Sequence, residues 1–248
     1  LMSAKQTILI TGATSGIGES LLHYYLANDY QVIACGRNQQ KLEQLSADNA
    51  DVIPLAFDIT EQTQIFQAAD EISHIGNIDI LMFNAGDCRY IDNPKVFDGQ
   101  LFADVITTNL QSLGFLLEQF LPKVHAGGQV VFVSSSATIL PFPRAEAYGA
   151  SKAGIDYLAK SLRLDLKAEN INVTLVHPGF IKTPLTDKND FPMPFLMSSQ
   201  QAASRIYQGV SARKPYVHFP KRLTLLMKLL ALLPDFVWQS IALKGNKK

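Results

Sequence analysis

The stretch "TGATSGIG", Thr11–Gly18, follows the short apolar run "TILI" (7–10) near the start of the chain. Three of its residues are glycines, at Gly12, Gly16 and Gly18. Glycine lets the backbone adopt positive φ and approach a ligand closely, and the N–H groups at a helix N-terminus attract phosphate. A glycine loop that ends a strand and opens a helix is therefore typical of a dinucleotide cradle rather than of a plain turn.

Short runs rich in β-branched residues recur along the rest of the chain and predict strands. They lie at 7–11, 30–36, 51–58, 78–86, 128–135, 171–179 and 216–220. Most are apolar throughout rather than alternating, as expected for strands buried on both faces. Longer segments with helical periodicity separate them. Strands joined by crossover helices predict an α/β fold, with one doubly wound parallel sheet of about seven strands and helices on both faces.

Length, charge and cysteine content exclude several classes of protein. The 248 residues fit one domain, 1–248, and their formal net charge is zero, which favours no nucleic-acid partner. Cys35 and Cys88 are too few for a disulfide framework, so a reducing compartment, the cytoplasm, is expected. No cluster of His, Cys, Asp or Glu has metal-ligand spacing, so we expect no metal.

Tyr148 and Lys152 are four residues apart in "YGASK" and would share one face of a helix. One interpretation is an ordinary polar helix face. The other is chemical, because a tyrosine must come down from a pKa near 10 to near 7, roughly 4 kcal/mol, to exchange protons well at neutral pH. A lysine ammonium beside the phenol favours the phenolate, and an oxidised nicotinamide nearby would add positive charge.

The spacing of the glycine loop resembles that of the short-chain dehydrogenases/reductases, and further motifs extend the resemblance. "NAG" (84–86), "VSSS" (133–136), "YGASK" (148–152) and "HPGFIKT" (177–183) follow in the order of that family. The resemblance covers residues 7 to about 184. It implies a Rossmann-like oxidoreductase that transfers a hydride between a nicotinamide cofactor and a carbonyl or alcohol group of a small-molecule substrate.

The resemblance also implies a catalytic set. Tyr148 would be the general acid/base, and Lys152 would lower its pKa and hold the nicotinamide ribose. Asn109 would help to hold a proton-relay water. The family's serine stands thirteen residues before the tyrosine, which selects Ser135, with Ser136 as the alternative. The expected cofactor contacts are Gly12, Thr14, Ser15, Gly16, Ile17, Gly18, Arg37, Asp58, Asn84, Ala85, Gly86, Tyr148, Lys152, Pro178, Gly179, Ile181 and Thr183.

The choice between NADP and NAD depends on the end of the second strand. An acidic residue there would bind the ribose 2′-OH of NAD, but the position is Gly36 and Arg37 follows it. A guanidinium can bind a 2′-phosphate, or it can simply solvate the strand end. NADP(H) is therefore preferred and NAD(H) remains possible, because Ser15 stands where NADP-preferring members of the family often have a basic residue. Asp58 is either the adenine contact or the N-cap of the next helix.

Residues 184–248 form the predicted variable substrate lobe. The segment 191–197, "FPMPFLM", is either a packed loop or an apolar lid, and a helix capped by Ser198 or Ser199 follows. The segment 222–243 is apolar but too interrupted to span a bilayer. It could lie on a membrane, although packing on the protein or on a partner subunit is favoured.

Two further expectations concern partners and substrate. The apolar segment 101–121 predicts a homodimer or homotetramer, because this helix and the one that carries Tyr148 commonly form a subunit interface in the family. Apolar side chains on two loops predict an apolar carbonyl substrate: Phe142, Pro143, Phe191, Met193, Phe195 and Met197. His177 is interpreted as structural rather than catalytic. The rival classes are a dinucleotide-binding regulator without turnover and a peripheral membrane protein.

Overall fold

The computed structural model describes residues 5–245, and one parallel sheet of seven strands lies at its centre. The nine strands of the described chain are β1 (Thr7–Thr11), β2 (Gln31–Gly36), β3 (Val52–Ala56), β4 (Ile78–Phe83), β5 (Val124–Val133), β6 (Asn172–Pro178), β7 (Ile181–Lys182), β8 (Met197–Ser198) and β9 (Tyr216–Phe219). The order across the central sheet is β3-β2-β1-β4-β5-β6-β9. The predicted doubly wound α/β class is confirmed.

Helices connect these strands and cover both faces of the sheet. They are α1 (Gly16–Leu26), α2 (Gln39–Asp48), α3 (Gln62–Glu71), α4 (Gly99–Ile106), α5 (Ser112–Phe120), α6 (Glu146–Asp165), α7 (Ser199–Ser211), α8 (Lys221–Leu230) and α9 (Asp235–Gly245). Side chains of α1, α2 and α7 pack in the core on one face. Side chains of α3, α5 and α6 pack in the core on the other face. Both faces of the parallel strands are therefore buried, which explains their continuous apolar sequences.

All seven apolar runs predicted as strands are strands, and the differences lie at their ends. β3 ends at Ala56, before Asp58, and β5 begins at Val124 rather than near residue 128. The strands β7 and β8, which pair with each other, were not predicted from the sequence. These two-residue strands are too short to show a period, and they tie the segment after β6 to the start of α7.

The predicted long helix over 101–121 is formed by α4, a π-helical turn (Thr107–Gln111) and α5 in direct succession. The turn places Asn109 inside the fold, where it is almost fully buried. Single π-turns inserted in helices often occur at functional sites.

After residue 184 the structure contains the predicted helix α7 and the predicted apolar C-terminal segment, which is divided into two helices. Ser198 caps α7 through a capping box with Gln201, which decides between Ser198 and Ser199 as the N-cap. The apolar C-terminal segment forms α8 and α9, separated by the turn that contains Pro234, because proline cannot continue the preceding helix. Within residues 5–245, no helix combines the length and apolar character that crossing a membrane requires. The last three residues of the predicted lobe, 246–248, lie outside the described part of the chain.

Candidate active site

The order of strands reverses between β1 and β4, which are neighbours in the sheet. In open α/β sheets, ligands bind outside the carboxyl ends of the strands at such a switch point. The loops after β1, β4, β5 and β6 all leave this edge. One cleft there is lined by residues from each of them, including Ile17, Asn84, Ser135 and Gly179.

The glycine loop after β1 lies so close to its neighbours that side chains would collide. Gly12 and Gly16 have φ of 70° and 56°, in the left-handed region. A Cβ on Gly12 would lie 2.9 Å from the Cα of Ala85, and one on Gly18 would lie 2.0 Å from the carbonyl oxygen of Gly12. All three positions therefore require glycine: Gly12 and Gly16 for their φ, and Gly12 and Gly18 for close packing.

Thr11 and Asn84 fix this loop against the end of β4. The Thr11 hydroxyl accepts hydrogen bonds from the N–H groups of Asn84 and Ala85, at 3.0 and 3.1 Å. The Asn84 side-chain amide donates in return to the carbonyl oxygen of Thr11, at 3.1 Å. These reciprocal bonds hold the "TGATSGIG" and "NAG" segments in one fixed arrangement.

The cradle fits a dinucleotide on two observations. Ser15 is the N-cap of α1 but its side chain makes no capping hydrogen bond, so that side chain does not satisfy the first N–H groups of α1. Thr183 lies close to Gly16, because a Cβ on Gly16 would lie 3.1 Å from the methyl group of Thr183. A helix N-terminus in a glycine-lined cradle is suited to a pyrophosphate. Pro178, Gly179, Ile181 and Thr183 line the cleft on the side opposite Gly86.

At the outer end of the cradle, Arg37 and Asp58 face each other. The Arg37 Nη1 lies 3.6 Å from the Asp58 carboxylate, and the Arg37 side chain is 80% exposed. Asp58 accepts hydrogen bonds from the N–H and hydroxyl of Thr60. Burial acts to raise the pKa of Asp58, but the bonds from Thr60 and the charge of Arg37 outweigh it, so the pKa is lowered. Asp58 does not cap the next helix, since the N-cap of α3 is Glu61. The adenine contact stays a prediction.

Tyr148, in the first turns of α6, lines the cleft together with Ser135 from the loop after β5. The Ser135 hydroxyl is close enough to the phenol to act on the pKa of Tyr148. Ser135 also accepts a bond from the N–H of Ala137 at 3.1 Å, which orients its side chain. Ser136 lies in the following 3-10 turn with its side chain buried. The geometry thus places Ser135, rather than Ser136, beside the tyrosine.

Lys152 is buried one turn further along α6. Its ammonium donates to the carbonyl oxygen of Val133 at 3.0 Å and lies 5.8 Å from the centre of the Tyr148 ring. Burial lowers the pKa of Lys152 to about 8, while the acidic groups of Cys88 and Asp156, when ionised, act to raise it. Burial also raises the pKa of Tyr148, and the nearby Ser135 hydroxyl opposes that shift. In the chain alone, therefore, Lys152 does not bring the tyrosine into the neutral range.

Asn109 reaches the same place from the π-helical turn. Its side-chain oxygen accepts from the N–H of Asp87 at 2.7 Å, and its amide nitrogen donates to the Asp87 carbonyl and to the Ser151 hydroxyl. A Cβ on Gly86 would lie 3.2 Å from the Asn109 oxygen and 3.4 Å from the Lys152 nitrogen. Asn109 therefore fixes the chain directly after the "NAG" segment against the helix that carries Lys152.

A buried polar network behind the cleft was not predicted from the sequence. Asp156 accepts from the Ser134 hydroxyl at 2.6 Å and lies 2.9 Å from the His177 Nε2. Burial acts to raise the pKa of Asp156, but the bond with His177 and its charge outweigh it, so the pKa is lowered. Tyr216 bonds the other nitrogen of His177 at 3.0 Å. Both ring nitrogens of His177 have a partner in this network, so His177 connects β6 with α6 and β9.

Two more residues near the tyrosine were missed. The Cys88 thiol donates to the Tyr90 hydroxyl at 3.3 Å, and both groups are close enough to Tyr148 to influence its surroundings electrostatically. Burial raises the pKa of the Cys88 thiol, so it is protonated at neutral pH. Nothing in the sequence distinguishes Cys88 and Tyr90 from ordinary loop residues.

The structure separates the apolar side chains expected to line the pocket. Phe191 packs edge-on against Tyr90, with ring centres 5.4 Å apart, and near Phe180 at 6.2 Å. Phe142 instead packs edge-on against Trp238 at 5.3 Å. Met197 lies in β8 and packs against the core under α1 and α7, so it does not belong with the others.

Arg144 joins the two loops that flank this pocket. Its guanidinium bonds Asp92 at 2.6 Å and Asp190 at 2.9 Å, and it lies over the Tyr90 ring at 5.6 Å. The loop after β4 and the loop that contains Phe191 are thus connected through one arginine beside the cleft. Within the described residues, no group of three or more His, Cys, Asp or Glu side chains could hold a metal ion.

The fold and the site together define a nucleotide-binding oxidoreductase of the doubly wound α/β class. The family model for short chain dehydrogenase matches residues 6–192, so the chain belongs to the short-chain dehydrogenase family. Its members are oxidoreductases that act on CH–OH or C=O groups with a nicotinamide dinucleotide. The residues that carried the sequence resemblance are the ones that gather at the switch point.

Individual similarities agree with this assignment. An uncharacterized oxidoreductase of Myxococcus xanthus is 31% identical over 244 residues, which cover 96% of each chain. A short chain dehydrogenase from Burkholderia cenocepacia in complex with NADP superimposes with a TM-score of 0.84 at 22% identity, covering 96% of this chain and 98% of that one. A 3-ketoacyl-(acyl-carrier-protein) reductase from Brucella melitensis complexed with NADH has a TM-score of 0.78 at 21% identity, covering 86% and 96%. These structures share the fold.

The burial of Lys152 makes a prediction about stability. Its pKa in the folded protein, about 8, lies below the ordinary value of 10.5, so the folded state binds fewer protons between these values and stability rises as pH climbs through that window. Below pH 8 the buried cation costs up to roughly 3 kcal/mol. We expect Lys152→Met to unfold at a higher temperature than the unmodified protein at pH 7, with the advantage shrinking toward pH 10.5. Thermal melts across this pH range measure the effect.

Lys160→Met, at an exposed position of the same helix, is the control and should change little at any pH. A Lys152→Met protein that melts lower than the unmodified protein at pH 7 would show that the bond to Val133 outweighs the cost of burying the charge.

Proposed function

We propose that the protein transfers a hydride between NADP(H) and the carbonyl or alcohol carbon of a small, apolar substrate. The observation that carries this proposal is the placement of Tyr148 in a cleft with Ser135 on one side and Lys152 one turn along its helix. A bound nicotinamide would supply or accept the hydride. The cleft also contains the "NAG" and "HPGFIKT" segments, which would hold the nicotinamide half of the cofactor.

The protein's own residues handle the proton and the developing charge. Tyr148 gives a proton to the carbonyl oxygen during reduction or takes one from the alcohol during oxidation. Ser135 donates a hydrogen bond to the same oxygen and thereby stabilises its negative charge. Lys152 places a buried cation near the phenol, and in a site closed to water this charge has a larger effect than it would have in solvent.

The rival hypothesis is a regulator that binds a dinucleotide without turnover. Such a protein needs the glycine cradle but has no need of a serine, a tyrosine and a lysine together in the cleft. The buried ammonium of Lys152 is also destabilising, and residues of this kind are typical of catalytic sites. We therefore favour an enzyme, and we place residues 184–248 in its substrate lobe.

Tyr148→Phe tests the catalytic role. The variant keeps the ring and loses the proton donor, so we expect unchanged cofactor affinity and turnover reduced by at least ~10²-fold, the low end for general acid–base catalysis. Tyr157→Phe is the matched control, because Tyr157 lies on the same helix with 79% of its surface exposed. Both are assayed by NADPH consumption over aldehydes, ketones and quinones of graded size. Turnover of the Tyr148→Phe protein near that of the control would remove Tyr148 from the mechanism.

Support for NADP comes from the end of β2. A Cβ on Gly36 would lie 2.8 Å from the methyl group of Thr14, so the position where NAD-binding relatives could carry an acidic side chain is closed by the glycine loop. The next residue, Arg37, extends an exposed guanidinium at the same edge. The Asp58 carboxylate reduces the net positive charge at this edge. This weakens the argument for a 2′-phosphate and keeps NAD(H) as the second candidate.

We therefore expect NADPH to bind more tightly than NADH and the difference to shrink in Arg37→Ala, because a charge-assisted bond to the 2′-phosphate contributes roughly 1.5–3 kcal/mol. Fluorescence titration of each cofactor measures the affinities. Arg205→Ala, an exposed arginine on α7, is the control. Equal affinities for the two cofactors in the unmodified protein would overturn the preference.

The apolar surroundings of Tyr148 support an apolar substrate. Tyr90, Phe180 and Phe191 form one aromatic group next to the cleft, and Leu185 lines the cleft itself. Arg144 lies 5.6 Å from the centre of the Tyr90 ring, and its charge is paired with Asp92 and Asp190. A charged substrate bound against this aromatic group would therefore lose hydration, and the Arg144 charge is already taken.

We expect a higher kcat/KM for an alkyl or aryl aldehyde or ketone than for a charged analogue of similar size, such as a keto acid. An apolar pocket discriminates by about 1–3 kcal/mol per group, so a preference of roughly tenfold or more is anticipated. A comparable preference for the charged compound would mean that other residues line the pocket.

We also propose that the protein forms a homodimer or homotetramer through the outer faces of α5 and α6. Tyr157 and Leu164 on α6 are 79% and 76% exposed, and a subunit contact there would bury these large side chains. Light scattering at micromolar concentration should give a multiple of the 27.3 kDa chain, and Leu164→Glu should lower it. A monomer in the unmodified protein would contradict the proposal. The two free cysteines, one buried, favour a reducing compartment such as the cytoplasm.

A further inference from the structure

The most exposed apolar surface of the described chain lies at its C-terminal end. Of the large apolar side chains that are exposed, half lie between residues 225 and 243. Six of them form what we call the C-terminal apolar face, on α8, the following turn and the start of α9: Leu225, Leu226, Leu229, Leu232, Leu233 and Phe236. Leu232, in the turn, is 82% exposed. Patches of this kind on a folded surface mark interaction sites.

The opposite side of these helices is packed, so the exposed face belongs to a fixed structure. Leu223 and Met227 of α8 are buried with Leu140, from the loop after β5. Trp238 of α9 donates a hydrogen bond to the carbonyl oxygen of Pro141 at 2.7 Å. Helices held in this way present the outer leucines in one orientation, because rotating them would break the inner contacts.

The sequence of the C-terminal segment is basic on balance. The segment 221–248 has six lysines and arginines and one acidic residue, Asp235, although the whole chain has zero net charge. Lys221 and Arg222 are exposed at the beginning of α8. Short helices with an apolar side and basic residues at their edges bind at the surface of anionic membranes, where the leucines enter the interface and the basic groups meet lipid phosphates.

We infer that the C-terminal apolar face docks the protein on the surface of an anionic lipid bilayer. A second copy of the chain fits less well, because it would bring this basic segment against its own equivalent. Beside these helices lies the loop after β5, which carries Ser135, since Phe142 of that loop is exposed and packs against Trp238. If the proposed function holds, an apolar carbonyl compound dissolved in the bilayer would enter the cleft along this route.

The experiment is co-sedimentation of the full chain with vesicles of phosphatidylcholine alone and of phosphatidylcholine with about a third phosphatidylglycerol. We expect binding to the anionic vesicles, weaker binding to the neutral ones, and loss of about tenfold or more in Leu229→Ser/Leu232→Ser. The control is Val96→Ser/Phe97→Ser, which removes two exposed apolar side chains from a loop elsewhere on the surface and should bind like the unmodified protein.

Absence of binding to anionic vesicles, or equal losses in both double variants, would overturn the inference. A drop in molecular mass for Leu229→Ser/Leu232→Ser by light scattering, without vesicle binding by the unmodified protein, would assign the face to a second copy. NADPH turnover of a water-soluble carbonyl is measured in parallel and should be the same in both double variants. Vesicle binding without turnover of any carbonyl would leave the docking intact and reject the proposed function.

Discussion

The buried carboxylate of Asp156 joins the parts of the structure that the active site depends on. It bonds Ser134 at the end of β5 and His177 at the end of β6, while Asp156 itself lies on α6, one turn after Lys152. Removing a hydrogen-bond partner of a buried charged group typically costs about 1–3 kcal/mol or more, because that group is left unsatisfied. The strands β5 and β6 and the helix α6 are thereby held together at the carboxyl edge of the sheet. Their next residues, Ser135 and Pro178, face the cleft.

This arrangement explains how the site can contain a buried cation. Lys152 is in an environment that lowers its pKa to about 8, and the negative charge of Asp156 acts to raise it. The Ser134 hydroxyl donates to the Asp156 carboxylate at 2.6 Å and lies 3.2 Å from the carbonyl oxygen of Lys152, so the lysine's turn of helix is held from the strand side. The hydrogen-bonded group of Ser134 and Asp156 thus orients the turn of α6 in which the ammonium is buried.

The features that the sequence predicted are those with a local signal. The glycines of "TGATSGIG" stand out as a strand-to-helix loop in the sequence itself, although Gly12 packs against the distant Ala85. The Tyr148/Lys152 spacing follows from helix geometry alone. Asp156, Cys88 and Tyr90 gave no such signal. Their roles arise only when β5, β6 and the loop after β4 come together. The separation of Phe142 from Phe191 likewise depends on Trp238, a contact made across almost one hundred residues of chain.

The polar network around Asp156 extends beyond the cleft and connects the residues that line it to the C-terminal helices. His177 bonds Tyr216 of β9, and the Lys228 ammonium of α8 lies 4.2 Å from the centre of the Tyr216 ring. His218, stacked on Tyr216, bonds the Thr224 hydroxyl of α8 at 2.6 Å. A cation held over an aromatic ring contributes about 0.5–2 kcal/mol, and a buried hydrogen bond contributes a similar amount. The polar residues that position Ser135 and Lys152 therefore also fix α8, so the orientation of the C-terminal apolar face is set by contacts that begin at the active site.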